Sequence, residues 1–313
     1  MTLNERANHV ADALERDAER LRVHVSRVAG ARIIDCGGAV PGSLGAGLAM
    51  ARATLADLGE VCYVPYPIAD IGGPAVQVMT DDPVRACLAS QYAGWQISVG
   101  KYFAMGSGPM RAIAAREELF RHIPGKEESR VAVGILETRK HPTEEVIAAI
   151  VAKLPPVAEQ LTLLVAPASS LAGTTQVVAR TVETALHKLH ELKFDVSQVI
   201  SGYGVAPLPP VAADELHGIG RTNDAILYGG KVTLWVRTDD EVIASVGPKV
   251  PSNSSKDHGA LFAELFARYG DFYKIDPLLF SPAEVEFRNL KTGTCHRFGQ
   301  VEPGLVRKSF GLA

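Results

Sequence analysis

Apolar residues recur at helical spacing along the first 27 residues of the chain. One face of the predicted helix carries Leu3, Ala7, Val10, Leu14 and Leu21. Asp17 interrupts this face, so the segment is not expected to form a long coiled coil. The spacing predicts a helix over residues 3–27 that packs against its own subunit or at an oligomer contact.

Short apolar runs and amphipathic stretches alternate through the middle of the chain. The apolar runs predict strands at residues 31–38, 60–68, 75–80, 129–142 and 161–170. The amphipathic stretches predict helices at residues 82–95, 143–154 and 174–189, and residues 39–59 are predicted as a glycine-rich turn that leads into a helix. Thr143 stands at a capping position of its helix. Interleaved strands and helices with glycine turns between them predict an α/β or mixed α+β fold.

The last third of the chain has a different pattern. Residues 225–238 have the features of a β-hairpin, with Gly229-Gly230 as its turn. The other predicted elements are a polar loop at residues 250–259, a helix at 260–270 and an extended stretch at 283–293.

The chain has 313 residues, which is enough for two lobes of ordinary domain size. We expect the first lobe over residues 1–140 and the second over residues 141–313, with the chain crossing back between them. The proline- and alanine-rich segment 205–218 is a candidate crossover.

The composition is that of a soluble globular protein with a large core, since 47% of the residues are apolar and 21% are charged. A net charge of -3 does not resemble the basic footprint of a nucleic-acid-binding protein. No apolar run is long enough to span a membrane. The four cysteines show no CxxC spacing, and the N-terminal segment has no apolar signal-peptide core. These features predict reduced thiols, a cytoplasmic protein and no zinc site.

An arginine and a glutamate stand three residues apart on the predicted helix at residues 174–189. At about 100° per residue, Arg180 and Glu183 are i,i+3 neighbours on the side opposite the apolar face. One interpretation is a solvent-exposed ion pair on an amphipathic helix. The other is a catalytic carboxylate that a guanidinium keeps ionised at the wall of a cleft.

The segment GSGPMRA, residues 106–112, places Ser107 between Gly106 and Gly108 at the end of a predicted strand. Pro109 suits the first turn of the helix that follows. Exposed N–H groups at such a turn bind an anion or the edge of a polar heterocycle. Plain helix initiation explains the pattern equally well.

Residues 218–230 contain four consecutive polar side chains between glycines and a predicted apolar strand. They are Arg221, Thr222, Asn223 and Asp224. Such a group suits the recognition of a flat ligand that forms hydrogen bonds. An ordinary Asx-type turn is the alternative.

The glycine-rich turn after residues 31–38 raises dinucleotide binding as a competing hypothesis, because pyrophosphate binds where a strand and a glycine turn lead into a helix. The spacing Gly42-x-x-Gly45-x-Gly47 differs from G-x-G-x-x-G, and the next strand does not end in an acidic residue. A nicotinamide-dependent dehydrogenase is the runner-up on this basis. No histidine-based metal pattern occurs, so no metal is expected.

Four segments carry a more specific pattern when they are taken together. They are GSGPMRA, the helix with Arg180 and Glu183, GRTNDAILYG, and PSNSSKDHGALFAELFARYGDFYKIDPLLFSPAEV. In this order and combination they resemble the methenyltetrahydromethanopterin cyclohydrolase family, over nearly the whole chain. The alanine-rich composition resembles the members from methylotrophic bacteria.

The resemblance implies a cytoplasmic homotrimer whose subunits have two α/β lobes around a deep pterin pocket. It implies reversible hydrolysis of 5,10-methenyltetrahydromethanopterin to the 5-formyl form, a step of formaldehyde oxidation in one-carbon metabolism. No metal and no organic cofactor take part in that reaction. The family's catalytic arginine and glutamate correspond to Arg180 and Glu183.

The remaining motifs are predicted to bind the pterin substrate. Contact with the pterin edge is expected from Ser107, Gly108, Arg221, Asn223 and Asp224. Lys101 and Lys256 are candidates for contact with an acidic or polar tail at the mouth of the cleft. A pterin-binding oligomer that performs no chemistry is the third hypothesis.

Overall fold

The computed structural model describes residues 1–68, 71–270 and 274–312 of the chain. In chain order, the strands are β1 (His24–Val28), β2 (Ala31–Asp35), β3 (Gly59–Pro65), β4 (Pro74–Thr80), β5 (Trp95–Val99), β6 (Tyr102–Ser107), β7 (Val131–Glu137), β8 (Gln160–Ala166), β9 (Val199–Pro207), β10 (Lys231–Val236), β11 (Glu284–Asn289) and β12 (Cys295–Gly299). Part of the last resemblance segment, residues 271–273, lies outside the described residues.

Helices lie between these strands, as an α/β fold requires. In chain order, they are α1 (Leu3–Arg16), α2 (Ala18–Leu21), α3 (Leu44–Thr54), α4 (Met110–Ala114), α5 (Glu144–Val151), α6 (Leu171–Val178), α7 (Thr181–Glu191), α8 (Glu215–Gly229), α9 (Asp240–Val246), α10 (Phe262–Tyr269) and α11 (Pro303–Phe310). A π-helix, Val84–Gln91, lies between β4 and β5. The predicted mixture of helices and strands is confirmed. None of the helices in the described part of the chain is long and apolar enough to span a bilayer.

Short polar side chains fix where several helices begin. Thr2 and Glu5 form a capping box at α1, in which the Glu5 backbone N–H donates to the Thr2 hydroxyl over 3.1 Å. Ser43 caps α3 by accepting from a backbone N–H. Thr143 caps α5 in the same way, as its position in the sequence predicts.

The chain folds into two units, and each unit is built from two separate stretches of sequence. The first unit consists of Met1–Glu60 and Val84–Gln176, and the second of Val61–Pro83 and Val177–Ala313. The chain therefore passes between the units three times. Residue 140, the expected boundary between the lobes, lies inside the first unit, and residues 205–218 lie inside the second.

The first unit contains a six-stranded sheet in the order β1-β2-β8-β7-β6-β5. β2, β8 and β7 are parallel, while β1, β6 and β5 pair antiparallel beside them. Parallel strands are covered on both faces, and β7 and β8 carry nearly continuous buried runs. One face packs against α1 and α3, and the other packs against α5.

The N-terminal helix packs inside the first unit. Its apolar face joins α3, β7 and β8 in one buried cluster, so the expectation of packing within the subunit is confirmed. The helical segment is shorter than predicted, because α2 ends at Leu21 and Arg22 adopts a left-handed conformation with φ of 55°. His24–Val28 then forms the edge strand β1.

The second unit contains a six-stranded sheet in the order β12-β11-β10-β9-β4-β3. β10 and β11 are parallel, whereas β4–β9, β9–β10 and β11–β12 are antiparallel pairs. α7 and α8 pack against β9. This sheet positions both α7, which contains Glu183 and directly follows Arg180, and α8, which contains the predicted polar group.

Residues 225–238 do not form the predicted hairpin. Asp214 caps α8 by accepting from the His217 N–H over 2.9 Å, and the helix continues to Gly229. The Gly230 N–H donates to the Ile226 carbonyl over 2.9 Å, which ends the helix directly before β10. The hairpin prediction is wrong because a glycine pair ends a helix as well as it forms a β-turn.

Candidate functional site

The stretch predicted as one helix over residues 174–189 is two helices with a break between them. α6 ends at Val178 and α7 begins at Thr181, so Arg180 is the residue before the first turn of α7. The Thr181 hydroxyl donates to the Val178 carbonyl over 2.7 Å, and the Thr184 N–H donates to the Arg180 carbonyl over 2.9 Å. The prediction of a continuous helix is wrong, because a side-chain hydrogen bond takes up the carbonyl at the break.

Two glycines of β9 allow the start of α7 to lie against the second sheet. A Cβ atom on Gly202 would lie 2.7 Å from Val182 Cγ1, and one on Gly204 would lie 2.8 Å from Val182 Cγ2. Thr181 and Val182 are fully buried at this contact. The bare glycine backbone therefore sets the position of the first turn of α7.

Arg180 and Glu183 are both buried at this turn, with 7% and 4% of their surface exposed. The interpretation as a solvent-exposed ion pair is therefore wrong. Glu183 lies in the first turn of α7, where the helix dipole favours a negative charge. Burying charged side chains is costly, and such residues concentrate at functional sites. The arrangement can hold an ionised carboxylate and a guanidinium away from bulk water.

The Ser107–Gly108 turn joins β6 to α4 inside the first unit. Ser107 is 1% exposed, and Gly108 has φ of 91°, in the left-handed region that favours glycine. The Gly108 N–H donates to the Ser90 carbonyl over 2.9 Å. The fold itself therefore uses the Gly108 N–H, and ligand binding at this turn stays a prediction.

Arg111, which follows the turn, was not expected to have a role. It is fully buried, and its guanidinium donates to both carboxylate oxygens of Glu117. It also donates to the carbonyls of Leu88, Ala89 and Ser90 at 3.2, 3.4 and 3.2 Å. Arg111 thus caps the carboxyl end of the π-helix, to which Gly108 is also bonded.

Lys101 is exposed at the turn between β5 and β6. Its carbonyl oxygen accepts a hydrogen bond from Lys140 Nζ over 2.8 Å. This contact brings together two cationic residues from different loops of the first unit.

Arg221, Asn223 and Asp224 lie within α8 and not at the start of a strand. Arg221 donates to the carbonyls of Ser309 and Pro210, both at 3.2 Å. Asn223 Nδ2 donates to the carbonyl of the residue one turn earlier in α8, over 2.8 Å. Residues two apart on a helix point in different directions, so Asn223 and Arg221 do not share a face.

Asp224 has both carboxylate oxygens engaged within the second unit. Oδ1 accepts from the Phe262 N–H over 2.9 Å, and Oδ2 accepts from the Ser309 hydroxyl over 2.6 Å. Burial raises the pKa of Asp224 to about 6, although both hydrogen bonds act in the opposite direction. Arg221 and Asp224 meet at Ser309, and they join α8 to α11.

Lys188 is a buried residue of α7 that the sequence-based analysis missed. Its ammonium group donates to the Leu278 carbonyl, and to the Ser254 hydroxyl over 3.3 Å. Burial lowers the pKa of Lys188 to about 8, against an opposing effect of Asp276. The only hint in the sequence is a lysine placed between Leu186 and Leu189 on an otherwise apolar side of the helix.

The glycine-rich turn after β2 is organised by Asp35, which the sequence-based analysis also missed. The buried Asp35 carboxylate accepts from the N–H groups of Gly37, Gly38 and Ala39 at 3.0, 2.6 and 2.8 Å. Burial opposes ionisation, but these three bonds and His141 together lower the pKa of Asp35. The turn differs from a dinucleotide-binding loop, because its N–H groups already bind a carboxylate of the protein.

The described residues contain no group of three or more His, Cys, Asp or Glu side chains arranged to hold a metal ion. A cavity of about 240 Å³ lies between β5 and α5, and its walls include Ile97, Ile150 and Lys153. None of the predicted site residues lines this cavity.

Comparison with known proteins gives a match along the whole chain. A family model described as Cyclohydrolase (MCH) matches residues 2–310. The methenyltetrahydromethanopterin cyclohydrolase of Rhodopirellula baltica is 48% identical over 316 residues, covering 99% of this chain and 95% of that protein. The protein of the same name from Methylobacterium sp. (strain 4-46) is 44% identical, with 99% and 97% covered. The one from Methanosarcina barkeri is 38% identical, with 100% and 99% covered.

Proposed function

The chain belongs to the methenyltetrahydromethanopterin cyclohydrolase family, and from this premise we propose that it reversibly hydrolyses 5,10-methenyltetrahydromethanopterin to the 5-formyl form. The match over residues 2–310 carries the proposal, since it includes every segment in which we expect a functional residue. The enzyme is thus a hydrolase that acts on a carbon–nitrogen bond of a cyclic amidine in one-carbon metabolism.

The substrate itself supplies the electrophile for this reaction. A methenyl bridge between two nitrogen atoms is an amidinium cation, so its carbon atom is open to attack by water. The protein must place a water molecule over that carbon, accept one of its protons and return a proton to the departing nitrogen. One side chain that accepts and then donates a proton is sufficient for these steps.

Glu183 is the proposed acid–base group. Its carboxylate takes a proton from the attacking water as the C–O bond forms, and gives it to the nitrogen as the C–N bond breaks. Its burial supports this role, because a general base is most effective where bulk water does not compete for the proton. Its place in the first turn of α7 favours the ionised form before attack.

Arg180 is the proposed electrostatic partner of Glu183. A guanidinium close to a buried carboxylate favours its ionised form, and its N–H donors can orient the water or the emerging formyl oxygen. The substrate is cationic, so a lone guanidinium would repel it. The two residues therefore act together as a nearly neutral unit.

The remaining predicted residues are proposed to form the substrate-binding surface. They are Lys101, Ser107, Gly108, Arg221, Asn223 and Asp224. Because Asp224 and Arg221 are bonded to Phe262 and Ser309, we propose that they hold α8 in position and that Asn223 presents its amide to the pterin edge. The missing side chain of Gly108 leaves room for Ile135 of β7, so Gly108 shapes the turn that positions Ser107, and Lys101 contacts the polar tail.

We further propose a cytoplasmic homotrimer. The apolar face of α1 is buried within its own unit, so we do not place the subunit contact there. A better candidate is the face of the second sheet that carries Met79, Tyr203 and Trp235, where Met79 is 42% exposed. Light scattering that gives about three times the 33.4 kDa chain mass would support the trimer, and a single chain mass would exclude it.

The test of function is the absorbance decay of methenyltetrahydromethanopterin with the wild-type protein, Glu183→Gln and Glu191→Gln. Glu191 is the matched control, because it lies on the same helix with 48% of its side chain exposed. We expect rapid decay with the wild type and Glu191→Gln, and near-background decay with folded Glu183→Gln.

Other outcomes separate the hypotheses. If the wild type does not accelerate the decay but binds the carrier, the hypothesis of a non-catalytic pterin-binding protein is correct. If Glu183→Gln is as fast as the wild type, the reaction stands and Glu183 has no catalytic role.

A further inference from the structure

The first turn of α1 contains a fully buried asparagine, Asn4, to which the proposed reaction assigns no role. We propose that Asn4 positions the Ser107–Gly108 turn for binding of the carrier. The inference rests on the proposed function, because Ser107 and Gly108 are among the residues that we assign to substrate binding. Asn4 does not touch the carrier in this proposal and acts through the turn.

The Asn4 side chain joins three separate parts of the first unit. Its Nδ2 atom donates to the carbonyl of Pro109, the residue directly after the turn, over 2.8 Å. Its Oδ1 atom accepts from the Val133 N–H of β7, also over 2.8 Å. Nδ2 donates in addition to Glu127 Oε1 over 2.7 Å. Both N–H bonds of the amide and its oxygen atom are therefore engaged, and the amide bridges β7 and the turn.

These contacts lie where β6 leaves the first sheet. β6 pairs with β7 as far as Ser107, which stands opposite Ile135, and the chain turns away at Gly108. Two residues before Ile135, the Val133 N–H is bonded to the Asn4 side chain. A Cβ atom on Gly108 would lie 3.2 Å from the Val133 carbonyl oxygen, so the turn passes directly beside this residue. Asn4 thus takes the place of a strand partner at the point where the turn begins.

Asn4 is itself held at a fixed place in α1. Its backbone N–H donates to Glu127 Oε1 over 2.9 Å, and the Leu3 N–H donates to Glu127 Oε2 over 2.6 Å. The capping box of Thr2 and Glu5 fixes the same helix start. A shift of Asn4 relative to β7 would break several of these bonds and is therefore costly. The amide holds the turn from a fixed point.

Asparagine satisfies both partners without carrying a charge. An aspartate at this position would keep an acceptor for Val133 but lose the donor to Pro109, and its charge would face the Glu127 carboxylate. A buried carbonyl without a donor costs free energy, which the turn avoids by moving. The expected consequence is a weaker affinity for the carrier. The bonds of Asn4 all lie in the first unit, whereas α7 belongs to the second, so the chemical step should change little.

Trp95 reports the position of the turn independently of activity. It is 5% exposed and stands opposite Gly106, the residue directly before the turn. It also packs in one cluster with Met110 and Ile113 of α4, which follows the turn. A displaced turn admits water to the indole ring, and its fluorescence then shifts to longer wavelength. A Trp235→Phe background leaves Trp95 as the only tryptophan of the chain.

The test compares Asn4→Asp and Asn4→Ser with two controls from the same helix. Leu3→Ala lowers stability by removing a buried side chain but keeps the Asn4 amide. Asn8→Asp makes the same change from amide to acid where the side chain contacts Asp12 and Arg32. The Kd of the 5-formyl carrier is measured by calorimetry, and KM and kcat are measured from the decay of the methenyl chromophore. We expect both Asn4 variants to raise Kd and KM about tenfold with kcat within about threefold, and the folded controls to match the wild type.

Trp95 emission should shift to longer wavelength in the Asn4 variants and not in the controls. Asn4→Ser adds no charge beside Glu127, and it decides the question if Asn4→Asp does not fold. An unchanged Kd in the Asn4 variants overturns the inference, and so does an equal loss of affinity in Leu3→Ala. A weaker affinity without a shift of Trp95 emission also overturns it, because the turn has then not moved.

The Kd and the emission of Trp95 need no turnover, which separates this inference from the proposed reaction. A wild type that binds the carrier but hydrolyses nothing refutes the reaction. The role of Asn4 is then still supported if its variants alone lose affinity and shift the emission.

Discussion

Arg111 with Glu117 and Arg180 with Glu183 are both combinations of a buried arginine and a nearby glutamate, and we assign different roles to them. In the first unit, Arg111 is bound by both oxygens of Glu117 and by three carbonyls at the end of the π-helix. Tyr92 and Phe120 add ring contacts at 5.0 and 5.5 Å. This arginine completes the fold of the loops around it.

In the second unit, Arg180 and Glu183 lie at a break between helices, three residues apart. The first turn of α7 packs closely against Gly202 and Gly204 of β9. The comparison teaches that burial alone does not identify a catalytic charge. Position is the second criterion: Arg180 and Glu183 lie at a helix start that packs on glycines, and it is to this pair that we assign the proposed chemistry.

The largest expected effect is on the chemical step. Arg180→Ala should lower kcat by about 10³-fold, or about 4 kcal/mol, since an electrostatic partner of the transition state is lost. Because a guanidinium favours the ionised carboxylate, the acidic limb of the pH–rate profile should move to higher pH. The profile is measured from the decay of the methenyl chromophore, with folding checked by circular dichroism. An acidic limb at the wild-type pH would contradict the proposed influence of Arg180 on Glu183.

In the first unit, we expect an effect of similar size in kcal/mol, but on the free energy of unfolding and not on kcat. Arg111→Met should lower the free energy of unfolding by about 3–5 kcal/mol, because it leaves a partly buried carboxylate and three carbonyls without their donor. Denaturant unfolding measures this change. Activity per folded molecule should change far less than in Arg180→Ala. A variant of wild-type stability that has lost turnover would erase the distinction between the two arginines.

Asp224 is expected to make stability depend on pH in the second unit. Its pKa in the folded protein is about 6, above the ordinary value of 3.8, so the folded state binds more protons between these values. Its contribution to the free energy of unfolding is therefore complete below pH 4 and is lost as the pH rises through 6. The wild type should lose up to about 3 kcal/mol relative to Asp224→Asn between pH 4 and pH 7. Unfolding curves of both proteins at four pH values give this difference, and a constant difference would contradict it.

The smallest expected effect tests the backbone packing below α7. Gly202→Ala should cost about 1–3 kcal/mol, because its methyl group would meet Val182. Gly304→Ala is the control, since a Cβ atom there has no neighbour within 4 Å. Thermal unfolding measures both, and kcat should fall only in Gly202→Ala as α7 shifts. Equal stabilities of the two variants would show that the glycine does not set the position of the helix.

Local patterns predicted the elements with strong local causes. The apolar runs that became β2, β7 and β8 and the capped helix α5 were all found in this way. The predictions failed where distant contacts decide the structure. The break before Thr181 depends on a side-chain bond and on the glycines of β9, and the end of α8 resembles a hairpin turn within its own sequence.

The residues of the candidate site divide in the same way, into those that local spacing predicts and those that distant contacts bring together. The spacing of Arg180 and Glu183 made them candidates but left a surface ion pair as the other interpretation; the family resemblance assigned their catalytic role, which stays a prediction. Arg111 and Glu117 are six residues apart and are joined only by the tertiary fold. Asp35 and His141 are 106 residues apart, and no local spacing predicts their contact.

Each unit is built from two separate stretches of sequence, and this arrangement sets the order in which the units can fold during synthesis. β3 and β4 leave the ribosome early, but the partner of β4 in the second sheet is β9, which begins at Val199. At ordinary rates of translation, β9 follows about ten seconds later. The first unit can complete itself within that interval, because its last residue is Gln176. A nascent chain can therefore carry a complete first unit while the edge of β4 that later pairs with β9 still has no partner.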